Sequence, residues 1–410
     1  MQAPDPQIQH QAQAAAARST VAGRAAPGPG GRSRSWPGLL LAAAISLLRE
    51  THLRAEDHLD YKFEYYAEQG DRIQVRTYSA LFETELTPQV FLKGSAVYDG
   101  ISGATPDGGP PLAGSTRVRT VGIRDVRYAG SLEPNFRLGQ HTFKPQLTYS
   151  IENDYESLAP ALNYVYDFNR RNTSLNLGVA QNIDRNIRGI YVRQPQRKDS
   201  TDFLAGVTQA LGPSSLLNVT FTLGTASGYL SDPYKGFRFS NYPNPSALFP
   251  ERRPGHRTKQ IISSSLTQFV EPLKGSAELT YRFYHDSFGL FGHTATLEWF
   301  QRLGKHVVIS PLVRYYEQSA ADFYRLSFMA DPSDPNDPGN ALIPKFYSSD
   351  YRLSRLRTWT YGAGATVRLG RWLFLDAAYK RYEMSGLDGA TSASNFSNAN
   401  IYTLGLRLHF

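Results

Sequence analysis

The chain of 410 residues has no cysteine and only 3 methionines. The first absence excludes a disulfide framework, a cysteine-ligated metal, a thiol nucleophile and an N-terminal cysteine for lipidation. Outside the N-terminus no run of about 18 or more apolar residues occurs, which excludes a polytopic helical membrane protein. Hydrophobic residues are sparse at 41%, against roughly 45–50% in ordinary globular chains. A strong charge of one sign is missing too. Residues 1–55 hold six Arg and two acids, so the remainder carries 44−6 = 38 basic and 36−2 = 34 acidic residues, a surplus of four. That balance gives no reason to expect a nucleic-acid partner. What is abundant is aromatic: 25 Tyr and 22 Phe, a mix poor for helical bundles and rich for strands. The length allows two or three soluble domains or one large β-barrel.

Residues 1–31 consist mostly of Ala, Gln, Pro, Gly and Arg and offer almost nothing to bury. They read as a disordered extension or as translation from a misassigned start codon. The basic Arg32-Ser33-Arg34 then precedes the apolar stretch Leu39 to Leu48. This order is that of a secretory signal peptide over 32–55, too short to span a membrane as a helix, with cleavage expected after Ala55. The exported chain is then residues 56–410.

The exported part alternates with period two. In the last segment Tyr402, Leu404, Leu406, Leu408 and Phe410 share one face, while Thr403, Gly405, Arg407 and His409 share the other. Between 358 and 369, Trp359, Tyr361, Ala363, Ala365, Val367 and Leu369 oppose Thr358, Thr360, Gly362, Gly364, Thr366 and Arg368. Segments 276–284, 294–302 and 217–224 repeat the pattern. Successive side chains of a strand point to opposite faces, so each segment has an apolar wall and a polar wall. The segments are about 10–14 residues long, beyond the 5–6 of soluble strands and close to the 9–11 that cross an outer membrane at a tilt. Aromatic residues near strand ends, such as Trp359, Tyr361 and Trp299, match the interfacial girdles of transmembrane barrels.

Sixteen strands are expected, over about 59–69, 72–86, 89–99, 117–138, 141–152, 156–169, 172–181, 201–211, 215–227, 257–270, 274–286, 293–302, 306–318, 351–369, 371–384 and 400–410. Tight turns at Thr87-Pro88, Gly139-Gln140, Arg170-Arg171, Gly212-Pro213-Ser214, Glu271-Pro272-Leu273, Gly304-Lys305 and Gly370 contrast with long loops at about 100–116, 182–200, 228–256, 319–350 and 385–399. The fold class expected is therefore all-β: a single transmembrane antiparallel β-barrel of about 16 strands (14–18), with short periplasmic turns and long extracellular loops. A secreted sandwich or propeller is the alternative, disfavoured by strand length and polar inner faces.

Five segments, Gly100 to Pro111, Glu152-Asn153-Asp154-Tyr155-Glu156-Ser157, Gly228 to Gly236, Gln318 to Tyr324 and Tyr347 to Ser354, occur in an order that resembles the bacterial family DUF3570, a domain of unknown function. The resemblance spans nearly all of 57–410. It implies an outer-membrane β-barrel of a Gram-negative bacterium, with outer-membrane lipid and the barrel assembly machinery as partners, and it implies no activity.

A catalytic constellation is not apparent. His285, Asp286 and Ser287 are the nearest candidates, but adjacent strand residues point to opposite faces, so no enzyme is expected. Asp154, Asp232, Asp322 and Asp350 fall near extracellular ends, where oxygen-rich clusters can hold Ca²⁺. Their spacing matches no known calcium loop, so capping and loop hydrogen bonds are expected, with no metal and no cofactor. The polar faces turn Glu278, Arg282, Glu298, Arg302, Arg314, Arg368, Asp376, Lys380 and Arg407 toward the lumen, since charge on the lipid face costs about 2–4 kcal/mol for Arg or Lys at the midplane. Six of these are basic and three acidic. The expected function is a channel or transporter for small polar or anionic solutes; the alternatives are a structural or partner-binding barrel with an occluded lumen and, further off, a lipid-modifying enzyme. The last strand, with Tyr402, Leu404, Leu406, Leu408 and Phe410, is expected to be read by the assembly machinery.

Overall fold

The structure is a computed structural model that describes residues 57–111, 114–240, 242, 247–329 and 344–410. The extension, the signal peptide and its cleavage after Ala55 lie outside the described residues.

Nineteen strands form among them, numbered in chain order: β1 (His58–Glu68), β2 (Gln74–Thr87), β3 (Val90–Pro106), β4 (Thr120–Leu138), β5 (His141–Ile151), β6 (Glu156–Phe168), β7 (Thr173–Gly189), β8 (Val192–Gly212), β9 (Ser215–Gly228), β10 (Gly236–Phe239), β11 (Phe249–Pro250), β12 (His256–Val270), β13 (Gly275–Asp286), β14 (Phe291–Leu303), β15 (Val307–Gln318), β16 (Ser327–Phe328), β17 (Leu356–Arg368), β18 (Leu373–Gly386) and β19 (Ala399–His409). Sixteen of them close into one antiparallel barrel; β10, β11 and β16 form a separate small sheet. β19 joins β1 in unbroken register from His58↔His409 to Glu68↔Ala399. The Phe410 N–H donates to the Asp57 carbonyl at 3.0 Å and extends the seam.

The pleat explains the wall. Leu177, Phe203, Leu279, Leu297 and Leu404 all point outward and are exposed, Leu404 by 59%. A monomer in water does not leave a continuous apolar belt uncovered. Such a belt belongs against hydrocarbon, and a closed barrel can enter hydrocarbon because it leaves no backbone edge unpaired. Trp359 and Tyr361 are exposed on the same outer face. At the short-turn end the chain reverses within a few residues. Gly139 and Gly304 take φ of +66° and +62° there, a conformation that costs glycine nothing.

Several boundaries differ from those expected. The long loop anticipated over 182–200 is instead a hairpin: β7 runs on to Gly189 and β8 begins at Val192, with Gly189 opposite Val192. Both of its faces carry polar residues, so the apolar–polar contrast fades while the backbone ladder continues. β3 likewise runs to Pro106 instead of ending at 99. The strand expected from 351 begins at Leu356, because Tyr351–Leu353 form a 3₁₀ turn capped by Asp350, whose carboxylate accepts from the Arg352 N–H.

At the other end the loops fold together into a cap. β10 pairs with β11 and, in parallel, with β16. Phe237 and Phe239 of β10 are fully buried against Phe249, Phe328 and Tyr347. Gly108 lies so close to Gly236 that a Cβ on it would collide with the Gly236 carbonyl. Ser349 Oγ donates to the Gly108 carbonyl at 2.5 Å and lies 3.2 Å from that of Gly236. Arg72 Nη1 donates to the carbonyls of Ser394 and Asn395, and Tyr324 shares a hydrogen bond with Thr391 at 2.6 Å. The segments that carry the family resemblance are largely the ones that interlock here.

Candidate functional site

The inward faces of β1–β4, β14, β15 and β17–β19 enclose a cavity of about 620 Å³ within the barrel. Six acids line it: Asp60, Glu64, Glu68, Asp99, Glu298 and Asp376. So do six bases: Lys62, Arg127, Arg314, Arg352, Lys380 and Arg407. Many of these charges are paired. Arg407 meets Asp60 at 2.8 Å, Arg127 meets Asp99 at 2.9 Å, and Lys62 meets Glu64 at 3.0 Å. Asp376 accepts from Thr366 at 2.5 Å and Glu64 from Thr403 at 3.2 Å. Lys380 forms no ion pair within 4 Å among the described residues and faces the cavity.

The nine expected lumen residues divide into two groups. Glu298, Arg314, Asp376, Lys380 and Arg407 line the cavity. Glu278 sits opposite Glu298 in the β13–β14 register, and Arg282 lies over the Tyr284 ring at 5.7 Å, both outside that lining. Arg302 and Arg368 are exposed near the short-turn end, where Arg368 Nε donates to the Gly370 carbonyl at 2.8 Å. The acids of β1 and β3 were missed. Their signal was present in the alternation of Asp60, Lys62, Glu64, Tyr66 and Glu68, and with them the surplus of positive charge disappears from the cavity lining. On the last strand Tyr402 and Leu404 are exposed outward, whereas Leu406, Leu408 and Phe410 are half-buried.

The cap roofs this cavity. Tyr351 and Arg352 of the 3₁₀ turn belong to its lining. Gln318, at the end of β15, donates to the carbonyls of Arg352 and Ser354, both at 2.8 Å, and pins the turn over the mouth. Tyr351 packs edge-on against Phe396 at 5.7 Å. Behind the turn lies a buried ionic cluster. Asp350 accepts from Arg352 Nε at 2.9 Å and from Arg253 Nη2 at 2.8 Å. Arg352 also reaches Asp232 at 2.5 Å, and Arg253 meets Glu251 at 2.6 Å. Lys235 is 1% exposed; its ammonium donates to Thr105 Oγ1 at 3.1 Å and to the Pro106 carbonyl. Burial, then the neighbouring Arg352, pushes the Lys235 ammonium down to about 8. Burial alone would raise the Asp350 carboxyl, but Arg352 and then Arg253 outweigh it and hold it well below the usual carboxylate range.

The four loop aspartates thus have different surroundings. Asp232 and Asp350 are held by arginine, and the Asp322 N–H donates to the Phe288 carbonyl at 2.9 Å. Asp154 lies elsewhere, beside Asp125 and Glu152. His285, Asp286 and Ser287 do not converge. His285 packs against Phe291 with ring centres 4.5 Å apart and the planes tilted, Asp286 binds Arg257 and Tyr284, and Ser287 Oγ accepts from the Thr258 N–H at 3.0 Å.

The model of a family described as "Protein of unknown function (DUF3570)" matches residues 37–122, 117–188 and 182–400. The chain belongs to this family. No curated protein matches the sequence. Among solved structures, this DUF3570 member is similar to the siderophore receptor PirA from Pseudomonas aeruginosa, at 9% identity and a TM-score of 0.43, over 87% of this chain and 62% of the receptor. It is similar to a bacterial polysaccharide outer membrane secretin, at 8% identity and a TM-score of 0.47, over 88% of this chain and 100% of the other. A third is the outer membrane protein opdK from Pseudomonas aeruginosa, at 12% identity and a TM-score of 0.41, covering 87% and 100%. The chain spans less than two thirds of the length of the PirA receptor.

Proposed function

We propose that this DUF3570 protein is an outer-membrane channel for small polar solutes, with its outer mouth closed by the loop cap. The observation that carries the reading is the charged cavity of about 620 Å³ inside a barrel with an apolar outer belt. A core built only for stability has little use for twelve charged side chains around a cavity, because each ion must be desolvated. On this reading the belt contacts outer-membrane lipid, the short turns face the periplasm, and the assembly machinery inserts the barrel. Catalysis has no support, since His285, Asp286 and Ser287 are engaged apart from one another. The preference for anions expected from the inward residues is withdrawn. The six acids and six bases of the lining balance, so small cations and anions of one size should be treated alike.

Liposome swelling tests this. With the cap loosened by Arg253→Ala and Asp350→Ala together, a pair of opposite charges outside the cavity lining, neutral sugars and both ion signs should enter at rates set by size. A strong selection for anions would contradict the balanced lining. The second reading is a structural barrel with an occluded lumen, favoured by the interlocked cap. It predicts no swelling from wild type or variant.

A further inference from the structure

We propose that the cavity binds a small zwitterion, an amino acid or a short peptide, on a bare patch of wall between Lys380 and two carboxylates. The proposal rests on the channel reading for the ligand's route into the cavity, and it names a solute class for that site. Four neighbouring strands present small residues to the lumen at one level. Ser310 of β15, Gly364 of β17, Ala378 of β18 and Thr403 of β19 stand opposite one another in turn across the wall. All four line the cavity. On β18 the inward residues flanking Ala378 are Lys380, toward the cap, and Asp376, toward the short turns. The opposite charges nearest Lys380 are Glu64 and Glu298, and neither lies within 4 Å of its ammonium. Glu64 is already engaged by Lys62 and Thr403. Glu298, across the patch, is held by the Ser310 hydroxyl, and Asp376 by that of Thr366. Neither of these two carboxylates forms an ion pair among the described residues.

An ammonium facing the lumen seeks an anionic acceptor, and a carboxylate held by one hydroxyl keeps acceptor sites for a cationic donor. Charge-assisted hydrogen bonds of this kind are the strong ones. The lining as a whole is balanced, so a ligand of net charge would leave an ion uncompensated away from bulk water. A molecule with one carboxylate and one ammonium serves both ends of the patch and adds no net charge. The Cα atoms of Lys380 and Asp376 are four residues of strand apart, about 13 Å. An extended dipeptide spans about 7 Å, so it fits between the two charged heads once their side chains lean over the patch. Leu312, opposite Glu298 in register and also in the lining, offers a surface to an apolar side chain of the ligand.

The test uses the full barrel in detergent, with the cap loosened by Arg253→Ala and Asp350→Ala, and reads binding by calorimetry. The probes are L-alanyl-L-alanine, its N-acetyl form, which lacks the ammonium, and its C-terminal amide, which lacks the carboxylate. One saturable dipeptide per barrel is expected, with each blocked form weaker by about tenfold or more. Lys380→Met should weaken the dipeptide by about tenfold or more and the amide by less than about twofold, because the amide has no carboxylate for Lys380 to hold. Glu298→Gln should weaken the dipeptide far more than the N-acetyl form. Ala378→Leu, which fills the patch and alters no charge, should abolish binding of all three while the barrel stays heat-modifiable. No saturable binding, equal affinity for the three probes, or a Lys380→Met barrel that loses the amide as strongly as the dipeptide would overturn the proposal. Sugar entry into liposomes carrying the same cap-loosened barrel reads the channel separately. Sugars entering a barrel that ignores the dipeptide would refute the site alone, and dipeptide binding without sugar entry would refute the channel alone.

Discussion

Lys235 is the residue on which the cap's response to pH turns. Its ammonium is pushed down to about 8 among Arg352, Asp350, Asp232, Arg72 and the Tyr351 ring. In the unfolded chain the same group keeps its proton to about pH 10.4. Between these values the unfolded state binds the extra proton, so cap stability rises with pH there, and below about 8 no further change comes from this group. From pH 7 to 9.5 the gain is on the order of 2 kcal/mol. Near-UV circular dichroism of the Phe237–Phe239 cluster, followed through denaturant, should show the cap midpoint rising over that window in wild type and flat in Lys235→Met. Tyr351, pushed up to about 12 by burial and then Glu68, does not titrate there. Asp350 acts at the other end of the scale. Its stabilising contribution is complete above about pH 4, the unfolded value, and is lost as pH falls from there toward its lower folded value. None of this was legible in Lys235 itself, a lone lysine in a loop sequence that reads as exposed. Its burial comes from Thr105 and Pro106, about 130 positions away in the chain.

At the scale of the element, the strands were legible wherever one wall is apolar. β5, β9 and β12 fall within a residue or two of expectation because Leu147, Phe221 and Ile262 alternate with polar neighbours and tight turns bound them. The upper part of the β7–β8 hairpin was not legible. There Arg185, Arg197 and Asp199 stand on the outer face where lower down Val179 and Phe203 stand, and a pattern with two polar walls carries no strand signal. The last strand makes the strongest claim at this scale. β19 is hydrogen-bonded to both β18 and β1, so without it two edges face hydrocarbon. Deleting residues 401–410 should abolish heat-modifiable barrel on gels, and Phe410→Ala should reduce its yield. Leu279, between Leu266 and Leu297 on the outer face midway along β13, provides the control for register. Leu279→Arg should impair insertion by about 2–4 kcal/mol in a denaturant titration, whereas Thr280→Arg, one residue along and facing the lumen, should cost much less. Equal yields from wild type and the deletion would refute the account of closure.

For the whole molecule, the sequence carried the barrel but not its lid. Alternation is a local property and turn residues are local punctuation, so strand number and closure followed from them. The cap depends on pairs such as Asp232 with Arg352, 120 positions apart, which no window of sequence connects. The lumen was partly legible: the β13–β19 charges were readable from period two, and the same reading applied to β1 would have supplied Asp60 and Glu64. The account therefore joins a polar lumen to a mouth closed by interlocked loops. Purified protein in planar bilayers is the most direct measurement of that union. The account predicts a barrel that conducts rarely as wild type and opens in long steps when Arg253→Ala and Asp350→Ala dissolve the ionic cluster and leave the cavity lining balanced, with reversal potentials near zero in a salt gradient. Steady wild-type conductance equal to the variant's, or a variant that is folded and still silent, would contradict it.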